Sequence, residues 1–256
     1  MELFYKEIGT GEPIIILHGL FGSSDNWLSF SRNLADKGFK AILFDLRNHG
    51  RSPHTPQHTY DEMALDLKEM VLKLDLNQPA IMGHSMGGKA AMKFAINFPE
   101  LLSKLIVVDI GPKYYKPHHQ KYIAALNAID LKEITNRAEA EAKIESIIQN
   151  PAERQFLLKN LIRNDSGKFE WKINLKVLEE QIDNIGEGLD ANHKFRKPTL
   201  FIKGSLSNYI KDDDIIMMKW IFPLSTIIEI KDSGHWVHVD KPNELLNAVT
   251  NFLNKK

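Results

Sequence analysis

Short apolar runs alternate with amphipathic stretches along most of this chain, and that rhythm restricts the fold more than any other feature. Residues 13–18 (PIIILH), 39–46 (FKAILFDL), 79–83 (PAIMG) and 104–110 (KLIVVDI) have the brevity and apolar content of buried strands. Between them, 24–37, 60–76 and 86–98 space their apolar residues for helices. Met63, Leu67, Met70, Val71 and Leu74 share one such face. Strands that are apolar throughout must be covered on both sides, so the pattern specifies a mostly parallel, doubly wound α/β sheet.

The rhythm lapses from 112 to 197. That stretch reads as helical over 120–129, 138–148, 151–162 and 175–185, with Pro151 suited to a first turn. The alternation then resumes with strands at 198–204 and 225–231 and helices near 212–222 and at 242–253. The expected organisation is a core of residues 1–111 and 198–256, interrupted by an all-helical insertion at 112–197. An insertion that leaves directly from a sheet strand is placed to act as a lid. A further structural layer with no gating role is the alternative.

Lys plus Arg and Asp plus Glu both number 33, so no net charge draws the chain to nucleic acid or to an anionic membrane. The longest apolar runs are far too short to span a bilayer, so stable membrane insertion is not expected. The absence of cysteine excludes disulfides, thiolate catalysis and Cys-ligated zinc. The start, MELFYKEIG, lacks the basic and apolar regions of a signal peptide, and a cytoplasmic location is expected.

Gly83-His84-Ser85-Met86-Gly87 matches G-x-S-x-G. The motif alone is weak, but here it follows a buried strand and opens a helix. A sharp strand-to-helix turn forces the serine into strained backbone angles, and flanking side chains would clash, hence the two glycines. The turn lifts the hydroxyl above the sheet and aims helix N-terminal amides at a developing oxyanion. Ser85 is therefore the candidate nucleophile; a plain helix cap is the bland alternative.

Ten histidines compete for the role of general base. Position favours His235, in Ser233-Gly234-His235-Trp236 between a late strand and the last helix, where a loop can reach the sheet's C-terminal edge. His18 is expected to pack under the loop that follows it. His84 is expected to point away from Ser85. His49 and His54 lie on a loop, His118 and His119 in the insertion, and His238 is a pocket or surface residue.

These segments resemble α/β-hydrolase-fold esterases over essentially the whole chain. The matching residues are His18-Gly19-Leu20-Phe21-Gly22, the run Asp45-Leu46-Arg47-Asn48-His49-Gly50-Arg51-Ser52, Gly83 to Gly88, and Gly234-His235. More narrowly, QFLLKNL at 155–161 and FEWKINL at 169–175 are similar to the lid of small bacterial acyl esterases related to a mitochondrial abhydrolase-domain protein. The resemblance implies the α/β-hydrolase fold with a helical lid and carboxylesterase activity, in some members on acyl-CoA thioesters. It also puts one oxyanion donor at the Leu20 amide; the Met86 amide supplies the other.

The resemblance breaks down at the acid. Most of this fold carries G-x-x-D after the strand preceding the histidine's strand, and here the Asp position is Ser207. Asp212, Asp213 and Asp214 follow and are expected to open a helix. Asp109, at the end of the strand after the nucleophile's, is favoured instead, as in pancreatic lipase and some haloalkane dehalogenases. Asp45 suggests a structural turn. Phe21, Met86, Phe156, Trp171 and Trp236 are candidate acyl-binding residues, although each could simply be core.

The expected reaction is acyl transfer from a small-molecule ester or thioester to water, with no cofactor or metal, by a monomer or homodimer. His118 and His119 lack a third ligand. The competing readings are a C–C hydrolase or lyase on the same scaffold and a ligand-binding receptor with little turnover.

Overall fold

The computed structural model describes residues 1–255. Its elements are β1 (Tyr5–Ile8), β2 (Glu12–Leu17), α1 (Leu28–Ala35), β3 (Phe39–Phe44), α2 (Tyr60–Lys73), β4 (Ala80–His84), α3 (Met86–Asn97) and β5 (Leu105–Val108). The segment after β5 holds α4 (Gln120–Asn127), α5 (Arg137–Ile144), α6 (Pro151–Leu158), β6 (Leu161–Arg163), β7 (Phe169–Trp171) and α7 (Leu175–Glu180). Then come β8 (Thr199–Gly204), α8 (Asp214–Ile221), β9 (Ser225–Ile230), α9 (Val237–Asp240) and α10 (Pro242–Leu253).

Seven strands form one sheet in the order β1-β3-β2-β4-β5-β8-β9. All neighbours are parallel except β1, which runs antiparallel to β3. Alternate side chains of β2 enter opposite cores. Ile15 and Leu17 pack with α2 and α3, whereas Ile14 and Ile16 pack with α1 and α10. Both faces are thus covered, which is why these strands read as unbroken apolar runs.

The insertion departs from the all-helical expectation. The expected helix at 151–162 stops at Leu158, and β6 and β7 form an antiparallel hairpin. Asn164-Asp165-Ser166-Gly167 decides this. The Gly167 amide bonds the Asn164 carbonyl at 2.8 Å, Gly167 takes φ 77°, and the Asn164 side chain accepts from the amides of Ser166 and Lys168. Turn chemistry of this kind overrides helical spacing. Apolar side chains of the insertion, among them Ile123, Leu126, Ile144, Leu157 and Leu178, belong to the same core as α2 and α3. The edge strand β1 also went unread, because Tyr-Lys-Glu-Ile is half-exposed and shows no apolar run.

Candidate active site

One residue makes the turn between β4 and α3. Ser85 sits at φ 52°, ψ −119°, a conformation that costs an L-residue on the order of 1–3 kcal/mol. Crowding holds it there. A Cβ on Gly83 would strike the Gly87 carbonyl, and one on Gly87 would lie 2.5 Å from the His18 oxygen and 2.6 Å from that of Leu17. The turn is tied at both ends, by the Ser85 amide to the Val108 carbonyl (3.1 Å) and by the Lys89 amide to the Ser85 carbonyl (3.0 Å).

Asp109 follows β5 on the neighbouring strand, is fully buried and has φ 52°. Its carboxylate accepts from His235 Nδ1 at 2.7 Å, from the Gly204 amide at 2.9 Å and from the Ser207 hydroxyl. The position where a family aspartate was expected therefore holds a serine that donates to Asp109. With Nδ1 donating, the neutral ring of His235 leaves Nε2 as its acceptor. Two further groups fix the imidazole: the Tyr209 ring stacks on it at 3.9 Å, and His84 Nε2 donates to the His235 carbonyl at 2.8 Å. Asp212 and Asp214 pair instead with Lys203 and Lys113, and Asp213 precedes α8.

Ser85 and His235 line one cavity of about 370 Å³, together with His18, Leu20, Phe21, Phe156 and Trp236. Met86 opens α3, whose first amides have no partner within the helix, and lines a smaller recess that also reaches Ser85. Trp171 is not brought to the cavity. It pairs with Leu161 across the hairpin and packs half-buried against the main core, so the hairpin that the sequence did not reveal removes it from the wall. Tyr122, Tyr209, His84 and His119 also line the wall, beyond the residues expected there. Ser207's hydroxyl was the available signal for Asp109's partner, but only as an anomaly. Among the described residues, no three His, Cys, Asp or Glu side chains converge as a metal site, and His118 Nε2 is engaged by the Tyr209 hydroxyl at 2.9 Å.

A family model of the alpha/beta hydrolase fold matches residues 12–242. This chain belongs to that family. Among relatives of the hydrolase, the sn-1-specific diacylglycerol lipase ABHD11 of Danio rerio is 38% identical, over 96% of this chain and 79% of its own. Esterase YbfF of Escherichia coli (strain K12) is 35% identical, over 96% of this chain and 94% of its own. A marine microorganism esterase of known structure is 44% identical, with a TM-score of 0.94 over 98% of this chain and 99% of that one.

Four histidines of this α/β hydrolase, His18, His49, His58 and His84, are buried. Burial before all else pushes each below the ordinary histidine value, His58 to about 3, with Arg47 adding to the shift there. They are neutral in the folded state, whereas the unfolded chain protonates them below about pH 6.5. The unfolded state then binds more protons, so stability falls as pH drops through 6.5 toward the folded values. The urea midpoint is expected to be clearly lower at pH 5 than at pH 7.5; equal midpoints would contradict the neutral assignment.

Proposed function

We propose that this α/β hydrolase is a serine carboxylesterase that forms an acyl-enzyme on Ser85 and acts on small to medium acyl esters, with acyl-CoA thioesters as a further class. The observation that carries this reading is the bond between buried Asp109 and His235 at the wall of a cavity that Ser85 also lines. Esterase or lipase is the activity named for its relatives.

In this mechanism, His235 Nε2 takes the Ser85 proton as the oxygen attacks the acyl carbonyl. The buried carboxylate of Asp109 stabilises the imidazolium that results and keeps the ring in the productive tautomer. The tetrahedral oxyanion rests on the amides of Leu20 and Met86, whose dipoles are fixed before charge develops. His235 then protonates the departing alkoxide or thiolate and activates the water that releases the acid. Phe21, Phe156 and Trp236 give the acyl chain apolar contact. No step calls on a cofactor. The enzyme is read as cytoplasmic, monomeric or homodimeric; among the described residues no helix is long and apolar enough to cross a membrane.

Residues 112–197 act as a lid in this reading, because His118, His119, Tyr122, Phe156 and Leu157 come from that segment to the cavity. Replacing Phe156 with alanine is expected to shift the chain-length optimum toward longer p-nitrophenyl esters, with activity on the acetate changed less than about threefold. An unaltered profile would reduce the segment to scaffold. The overall assignment is tested by fluorophosphonate labelling mapped by peptide mass spectrometry, followed by a panel of p-nitrophenyl esters and acyl-CoAs. Labelled Ser85 with turnover of the panel supports it. Labelled Ser85 without turnover of any ester or thioester would redirect it to C–C bond hydrolysis or to a receptor.

A further inference from the structure

The peptide groups around Leu20 are gripped one after another. The Gly19 carbonyl accepts from the Gly22 amide at 2.9 Å and from His18 Nδ1 at 2.8 Å. In a planar trans peptide the Leu20 N–H points opposite that carbonyl, so fixing one fixes the other. The next amide, that of Phe21, donates to His49 Nε2 at 3.2 Å. His49 serves as an acceptor because its Nδ1 donates to the Arg47 carbonyl at 3.0 Å. The Phe21 carbonyl in turn accepts from Asn160 Nδ2 at 2.8 Å.

Asn160 does not belong to the sheet. It lies between α6 and β6 of the insertion, is 3% exposed, and reaches a loop 139 positions earlier. Its second N–H bonds the Leu157 carbonyl at 3.1 Å, and its backbone carbonyl receives the Lys172 amide at 2.8 Å. Phe21, the residue held between Asn160 and His49, has φ 60°. A bulky side chain leaves that conformation unless its surroundings enforce it.

We infer that Asn160 and His49 are positioning residues that clamp the Leu20–Phe21 turn and thereby aim the Leu20 amide at the oxyanion, so that the insertion forms part of the oxyanion scaffold as well as the cavity wall. The inference rests on the acyl-enzyme reading given above. Hydrogen bonds to an oxyanion act only once the carbonyl becomes tetrahedral, so a loosened turn lowers kcat and leaves KM unchanged.

The test uses the full chain with p-nitrophenyl acetate and two inhibitors of equal length. One is an alkyl trifluoromethyl ketone, which closes on Ser85 to a tetrahedral oxyanion, and the other is the matching methyl ketone, which stays planar. Asn160→Leu keeps the shape of the side chain and removes both donors. His49→Leu removes the acceptor, and His49→Gln keeps an acceptor at nearly the Nε2 position. For Asn160→Leu and His49→Leu, kcat and trifluoromethyl ketone affinity are expected to fall together by about 10- to 100-fold, less than the roughly 100- to 1000-fold cost of an oxyanion donor removed outright. KM and methyl ketone binding stay constant, and His49→Gln recovers most of the loss. If Asn160→Leu fails to fold, the His49 pair decides alone. Wild-type kcat in a folded variant overturns the clamp, as does a loss shared equally by both ketones. A wild-type protein that fluorophosphonate does not label at Ser85 overturns the acyl-enzyme reading itself, and the clamp with it; normal wild-type labelling with unaffected variants overturns the clamp alone.

Discussion

Replacing Ser85 with alanine is expected to lower kcat on p-nitrophenyl acetate by about a millionfold, the loss seen when a serine nucleophile of this kind is removed. Alanine retains the Cβ that already fits the turn, and the strain of φ 52° applies to either side chain. The bonds that tie the turn are made by the backbone, the Ser85 amide to Val108 and the Lys89 amide to Ser85. The variant therefore folds, with a melting temperature within a few degrees of the parent, and loses fluorophosphonate labelling. In the proposed mechanism some acceleration over water persists, because the amides of Leu20 and Met86 would still receive an oxyanion when water attacks. Turnover at the parental rate by a folded Ser85→Ala protein would refute the nucleophile.

Asp109→Asn is the second large effect. The substitution conserves shape, but the carboxylate holds His235 Nδ1–H, the Gly204 amide and the Ser207 hydroxyl at once. An amide has one acceptor oxygen, and its NH2 must face one of these donors. The imidazole escapes that clash by taking the other tautomer, with its proton on Nε2 and no lone pair for Ser85. In a triad of this type the same exchange costs about 10⁴ in kcat, and a loss of that order is expected here. Asp213→Asn, at the start of α8 and away from the cavity, is expected to stay within about twofold of the parent. The contrast is read from kcat at pH 7.5 for the two variants prepared side by side, with circular dichroism to show that both fold. A reversed ranking would move the acid into 212–214.

Ser207 ties these observations together. Its place after β8 is where a family aspartate was expected, and its hydroxyl now donates to the carboxylate on the neighbouring strand end. Parallel strands β5 and β8 lie side by side, so a side chain from either C-terminal end reaches the same imidazole. In the proposed mechanism the acid stands one strand over from the position the family resemblance implies, which needs no change in the fold, only a small donor where the other carboxylate would stand.

Local patterns in the chain determined much of this protein. Apolar runs broken by helical spacing specified the sheet with both faces covered, because the period of a strand or helix is written within a few neighbouring residues. Gly83 and Ser85 specified the strained turn for the same reason, since the clash that forbids a larger residue at Gly83 is with the turn itself, whereas Gly87 is pressed by the Leu17 and His18 oxygens at the end of β2, far away in sequence. His235 was selected by its place after a late strand. Contacts across long stretches of chain were a matter for the tertiary structure alone. Asp109 was the favoured carboxylate among several in the sequence, but its contact with His235 came only from the packing that sets β5 beside β8. Tyr209 reached the imidazole, Asn160 reached Phe21 and Trp171 turned away from the cavity through packing between elements far apart in sequence. The hairpin at 161–171 and the edge strand β1 went unread because a short half-buried strand carries too few apolar residues to declare a period, and its pairing partner supplies the rest.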